Sequence, residues 1–240
     1  MTFADSILTE NGNLTLTGGL INNLHDETST GWAVFSETCT YASAVTFTIS
    51  GDYTSVFSFG TKVKLTNSTL KYGTVSGSSY SAPNTTVTLF TNTDYSLASA
   101  AISGVYISRL KQPQGFPACF NYTSTTNSQA GTWTLSNLYV AQFSVDGSYV
   151  DLTIVYDGTL ASSTAAYLTY TLPVASVNLP GASTAFQSSG IYAEDNGTIG
   201  SGLTLILDAS ATARAYKLSN AAWGTTGTKY VSICTRYRAA

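Results

Sequence analysis

Charge is scarce in this chain: Asp, Glu, Lys and Arg make up 10% of its 240 residues, and the formal net charge is −3. Without a basic field, nothing draws in a phosphate backbone, which argues against nucleic acid as a partner. Histidine occurs once, as His25 in a polar run near the N-terminus. A Ser-His-Asp or Cys-His arrangement would have to use that one residue, and its setting reads as a solvated side chain. Cysteine occurs three times, at Cys39, Cys119 and Cys234, with no CxxC spacing. An odd, scattered set argues against a disulfide framework and against a four-ligand zinc site, and reads as small buried hydrophobes. No run of about 18 apolar residues is present, so no membrane insertion is expected. The opening MTFADSILTENGNLTL lacks the basic and apolar regions of a signal peptide, so synthesis in the cytoplasm is expected.

Nucleotide and metal motifs are missing too. GSSYSAPN contains neither GxxxxGKS/T nor GxGxxG and falls between strand-like runs, which excludes a phosphate loop. EDNG, residues 194–197, lacks the alternating oxygen ligands of a calcium loop. No cofactor is expected. Asp146, Asp151, Asp157, Glu194, Asp195 and Asp208 all lie in the second half, and a glycosidase needs two such groups at a fixed separation. Asp146 and Asp157 each precede glycine, and EDNG resembles a turn, so a structural reading accounts for these residues and no catalytic residue is assigned.

What is abundant is Thr, Ser, Tyr and Gly, with 43% hydrophobic residues, a balance that favours strands and turns over helices. The chain is long enough for one large β domain or two small ones. In AVTFTIS, Val45, Phe47 and Ile49 alternate with hydroxyl residues, the period of a half-buried strand. GTKVKLT repeats the device, with Val63 and Leu65 expected inward and Lys62 and Lys64 outward. NSTLKYGTV and TTVTLF add strands on either side of GSSYSAPN, which reads as a turn. DYSLASAAISG, residues 94–104, is the best helix candidate, with Asp94 as cap and Leu97 and Ala101 four apart. VYISRL then reads as a last strand.

In LKQPQGFPACFNYTS, Pro113 and Pro117 interrupt the strand pattern, while Phe116, Phe120 and Tyr122 give the stretch something to bury. It reads as an ordered join rather than a free tether. Beyond it, FSV and YVDLTIVY flank Asp146-Gly147, the clearest hairpin signal, followed by AAYLTYTLPV, GLTLILDA and KYVSICTRY. The fold class expected is all-β: an N-terminal arm (1–30), a small β-barrel or sandwich module (31–109), a join (110–127) and a C-terminal antiparallel β-sandwich of jelly-roll type (128–240). In the arm, Leu14, Leu16, Leu20 and Ile21 are candidate anchoring residues, with a ragged terminus as the equal alternative. Sixteen Tyr and three Trp suit sugar stacking or a subunit interface. Trp32 and Trp133 read as core or β-surface residues, while Trp223, in the loop-like SNAAWGTTGTK, is the candidate for surface contact.

These runs also carry a resemblance. From Trp32 through ETCTYASAVTFTISGDYTSVFSFGTKVKL, LKYGTVSGSSYSAPNTTVTL, DYSLASAAIS and PQGFPACFNY, the chain resembles the small β module of many bacteriophage and prophage virion proteins of tail or tail-fibre type. The usual form at ETCTYAS carries an aromatic where this chain has Cys39. TYTLPVA, DNGT and AAWGTTGTKYVSI are similar to the C-terminal β domains attached to such modules, so the resemblance spans residues 31–238. It implies a non-enzymatic virion appendage, a tail fibre or receptor-binding component, with capsid decoration or a head fibre as the alternative. A polysaccharide-degrading tailspike is disfavoured by the short chain and the absence of a β-helical repeat. The implied partners are further copies of the chain as a trimer, other virion proteins and host cell-surface polysaccharide. The implied location is the virion.

Overall fold

The computed structural model describes residues 30–91, 94–177, 185–207, 210–219 and 221–239, together with the backbone pairing of residues 9–10 and 13–14. Near the N-terminus, β1 (Thr9–Glu10) pairs with β2 (Asn13–Leu14), which places Leu14 on a strand. Leu16, Leu20, Ile21, His25 and Asp208 lie outside the described residues. All remaining elements are strands, and no helix occurs among the described residues, in keeping with the all-β expectation.

Seven strands make the first sheet: β3 (Ala33–Phe35), β4 (Cys39–Ser43), β5 (Thr46–Ser50), β6 (Lys62–Asn67), β7 (Thr69–Ser81), β8 (Asn84–Phe90) and β9 (Ile102–Ser108). They run antiparallel in the order β3-β9-β6-β7-β8-β5-β4, and the sheet curls until β4 touches β9. Phe47, Ile49, Val63, Leu65 and Val87 fill its interior as their alternation predicts. Cys39 belongs to the same core, where burial first and the Glu37 charge second push its thiol up to about 12.

Four local expectations are corrected here. GSSYS does not form a turn: β7 runs through Ser81, and only Ala82 and Pro83, joined by a cis peptide, separate it from β8. Val45 is exposed rather than inward, because it sits at the β4–β5 bend beyond the regular pairing. Residues 94–101 are not helical, since the fully buried Asn67 takes up the backbone groups of Ala98, Ala100 and Ala101 and draws the segment into a loop. Lys62 does not face solvent but is 3% exposed, covered by the second sheet.

That sheet contains β10 (Phe120–Asn121), β11 (Thr126–Ser128), β12 (Thr132–Asp146), β13 (Tyr149–Ala161), β14 (Leu168–Thr171), β15 (Ala185–Asp195), β16 (Thr198–Leu207), β17 (Thr212–Lys217) and β18 (Thr228–Arg238). Its antiparallel order is β10-β12-β13-β18-β15-β16-β17-β14-β11. The sandwich is therefore one continuous sheet folded over on itself, bringing the last strand back to the second: Trp133 Nε1 of β12 donates to Thr126 Oγ1 of β11 at 3.0 Å. Leu152, Ile154 and Tyr156 of β13, Val231 and Ile233 of β18, and Leu168 and Tyr170 of β14 fill the core.

The turns follow glycine. Asp146 pairs with Tyr149, so the predicted hairpin turns on Gly147 and Ser148, one residue later than the Asp-Gly pair, with φ at Gly147 of 57°. Asn196 and Gly197, with φ of 52° and 76°, make the expected two-residue turn between β15 and β16. Asp157-Gly158 is not a turn but mid-strand, where a Cβ on Gly158 would lie 2.6 Å from Cζ2 of Trp133.

Between the sheets, residues 109–119 form the ordered join that two prolines and three aromatics predict. It is shorter than 110–127, because β10 and β11 already belong to the second sheet. Phe116 packs its ring against Trp32 at 6.2 Å, Tyr72 at 5.9 Å and Phe120 at 5.6 Å, and Trp32 Nε1 donates to Gln114 O at 2.8 Å. Aromatic contacts thus run without a break from the first sheet into the second.

Candidate functional site

On the outer face of the second sheet, register places four polar side chains in one row. Asn137 of β12 pairs with Asp157 of β13, Asp157 with Tyr230 of β18, and Tyr230 with Glu194 of β15. Tyr192 stands two residues from Glu194 on the same face of β15, since alternate residues of a strand share a face.

Tyr139 joins this row by an irregularity. Val145, Phe143 and Ala141 of β12 point into the core, and strict alternation would send Tyr139 inward after them. The register slips between Leu138 and Val140, leaving Tyr139 as the bulged residue, and its side chain comes out at 55% exposure.

The three tyrosines touch in sequence. The Tyr139 and Tyr230 centroids lie 5.9 Å apart, and those of Tyr230 and Tyr192 lie 5.7 Å apart at 81°. Each outer ring is pinned by a carboxylate: Tyr139 donates to Asp157 Oδ2 at 3.0 Å, and Tyr192 to Glu194 Oε2 at 3.0 Å. Asn137 Nδ2 donates to the other oxygen of Asp157 at 3.0 Å, so this largely buried carboxylate is satisfied on both sides. The hydrogen bond to Asp157 raises the pKa of Tyr139, while partial burial and then Glu194 raise that of Tyr192. Both phenols stay protonated at neutral pH.

Chemically, such a surface offers a ligand two forces at once. Ring faces can accept the apolar C–H face of a sugar, and the surrounding carboxylates, amide and phenols can exchange hydrogen bonds with hydroxyls. No basic side chain forms an ion pair with Asp157 or Glu194 among the described residues, so the patch is acidic and favours a neutral polyhydroxylated ligand over an anionic one.

Trp223, the expected surface contact, is not part of it. The residue is fully buried, because its backbone bridges to Ala165, with Trp223 N donating to Ala165 O at 2.7 Å, and turns the loop inward. Its ring closes one end of the core beneath the Lys217 ammonium, 5.6 Å from the centroid. Beside it, Asp195 meets Lys217 at 2.7 Å and Lys229 at 2.9 Å, a cluster that ties the β15–β16 turn to the 221–227 loop. Among the candidate carboxylates, Asp146 and Asp151 both contact Arg236, while Asp157 and Asp195 serve these separate clusters.

The tyrosine row escaped sequence reading for two reasons. Tyr139 needs a bulge that no local pattern announces, and Asp157 is disguised by the glycine after it. The available signal was that Asn137 and Tyr139, like Tyr192 and Glu194, pair a ring with a polar group two residues apart.

Comparison with protein-family models finds no family that matches the chain, and comparisons with curated proteins and with solved structures find no match either.

Proposed function

We propose that the chain is a non-enzymatic structural protein of a bacteriophage virion, a tail-fibre or receptor-binding component that meets the host surface through the outer face of its second sheet. The observation that carries this reading is the row Tyr139–Tyr230–Tyr192, three rings joined by two ring contacts and edged by Asp157 and Glu194. A strand surface of this kind suits an extended neutral polysaccharide, since hydrogen bonds and ring contacts hold the rings before the ligand arrives and little ordering entropy is lost. The aromatic join at Phe116 supports the same role by holding the second sheet at a set angle to the first. On the particle the chain assembles as a homotrimer among other virion proteins, anchored through the residues before Trp32.

The test is binding of the full chain to immobilised neutral bacterial surface polysaccharides, with immunogold labelling of particles that carry it. Binding that falls at least tenfold in Tyr139→Ala and label at the tail tip are expected. Label over the head, or binding indifferent to Tyr139→Ala and Tyr192→Ala alike, would overturn the receptor-contact reading.

A further inference from the structure

The tyrosine row uses none of the ten Lys and Arg residues, and four of them gather at the boundary between the two sheets. There, Gly60 of the first sheet's β5–β6 loop lies against the β12–β13 turn of the second; a Cβ on Gly60 would be 3.6 Å from Gly147 Cα. Beside this contact opens a cavity of about 330 Å³ whose lining includes Lys62, Arg109, Lys111 and Asp146. Three cations thus line a cavity with one carboxylate, and that carboxylate is already engaged: Asp146 accepts from Lys111 at 2.7 Å and from Arg236 at 3.2 Å.

Lys62 and Arg109 have no carboxylate within ion-pair distance among the described residues. For Arg109, which is exposed and donates to Ser55 O at 3.1 Å, this is of little consequence. For Lys62, 97% removed from water, it is costly. Its ammonium donates to Val145 O and to Thr74 Oγ1 and lies 5.2 Å from the Phe116 ring centroid, and these are neutral groups. A lysine has three N–H donors, and two are accounted for.

We propose that this inter-sheet cavity binds a small oxyanion, a phosphate or carboxylate group, which pairs with Lys62 and Arg109 and clamps the first sheet to the second. The chain is acidic overall, so the attraction is local to these residues rather than a general pull on anions. The cavity also admits an oxyanion carried on a sugar, which gives the same chemistry two sources. This site is separate from the tyrosine row and does not depend on its role.

The experiment uses the full chain at pH 7, with calorimetric titration by inorganic phosphate and, separately, by methyl glucuronide. Thermal unfolding is followed in phosphate and in chloride of equal ionic strength. One phosphate per chain and a melting temperature that climbs with phosphate concentration are expected. Lys62→Met should weaken binding at least tenfold and Arg109→Gln severalfold, while Lys71→Met leaves it unchanged. Arg109 is a surface side chain, so its variant reports even if Lys62→Met folds poorly. Binding of phosphate identifies a free ion, binding of the glucuronide alone identifies a sugar-borne group, and either supports the site. If neither binds, or if phosphate raises the melting temperature equally in the parent and both cavity variants, as salt exclusion would, the proposal is overturned.

Discussion

The side chain of Asn67 holds Ala98 from both sides: its Oδ1 accepts from Ala98 N at 2.6 Å, and its Nδ2 donates to Ala98 O at 3.2 Å. The same Nδ2 reaches Ala100 O at 2.9 Å and Ala101 O at 3.3 Å, so one amide on β6 replaces the bonds that a helix would have supplied. Leu97 is then free to enter the core. Asn67→Ala removes every one of these bonds at a fully buried position, and a loss of about 2–4 kcal/mol is expected in urea unfolding. Asn67→Asp keeps the acceptor but loses the donors, so it should be no better at neutral pH. A loss under about 0.5 kcal/mol would mean that the loop is held by Leu97 alone.

Asp195 makes a second such centre. It takes Lys217 Nζ at 2.7 Å and the Gly224 N–H at 2.9 Å, and lies 2.9 Å from the fully buried Lys229 Nζ. Burial by itself would raise its pKa. The bonds from Lys217, Gly224 and Lys229 outweigh that and hold the carboxyl below the usual range, so its contribution to stability is present at neutral pH and is lost only as pH falls through that lowered value. Asp195→Asn strands the Lys229 charge and should destabilise the chain by about 3–5 kcal/mol, with the Trp223 emission shifting at correspondingly lower denaturant. Adding Lys229→Met should restore part of the loss; no restoration would show that Lys229 is not the stranded group.

Periodicity located the strands wherever a side chain's two choices were core and water. Phe47, Ile49, Val63, Leu65, Leu168 and Tyr170 point inward as their alternation predicts. The same rule misplaced Lys62, because the outer face of β6 meets the other sheet, and a period of two does not distinguish water from a neighbouring sheet. It cannot place Tyr139, because the bulge at that residue reverses the face that strict alternation assigns. Propensity failed at residues 94–101, where the deciding partner, Asn67, lies some thirty residues earlier in the chain. Polar neighbours made Trp223 look exposed, although one backbone bridge to Ala165 is enough to bury it. In each case a long-range contact overrode a local pattern.

The same long-range contact at Lys62 makes stability depend on pH. Burial, opposed by the Asp146 charge and reinforced by that of Lys111, lowers the Lys62 pKa from 10.5 to about 8. Between those values the unfolded chain holds a proton that the folded chain has released, so unfolding takes up a proton and stability rises with pH. Other groups pull the opposite way. Cys39 and the buried Tyr156, Tyr170 and Tyr237 have raised pKa values, and each costs stability once its unfolded form ionises, from pH 9.0 for the thiol and 10.0 for the phenols. The whole curve should therefore climb above pH 8 and then turn over. Subtracting the curve of Lys62→Met cancels the shared thiol and phenol contributions. The difference should rise steadily from pH 8 to 10.5, read by urea unfolding in phosphate-free buffer so that no added oxyanion occupies the cavity. A flat difference would mean that Lys62 titrates alike in the folded and unfolded chains, which a lysine buried between two sheets with no carboxylate in ion-pair distance among the described residues should not do.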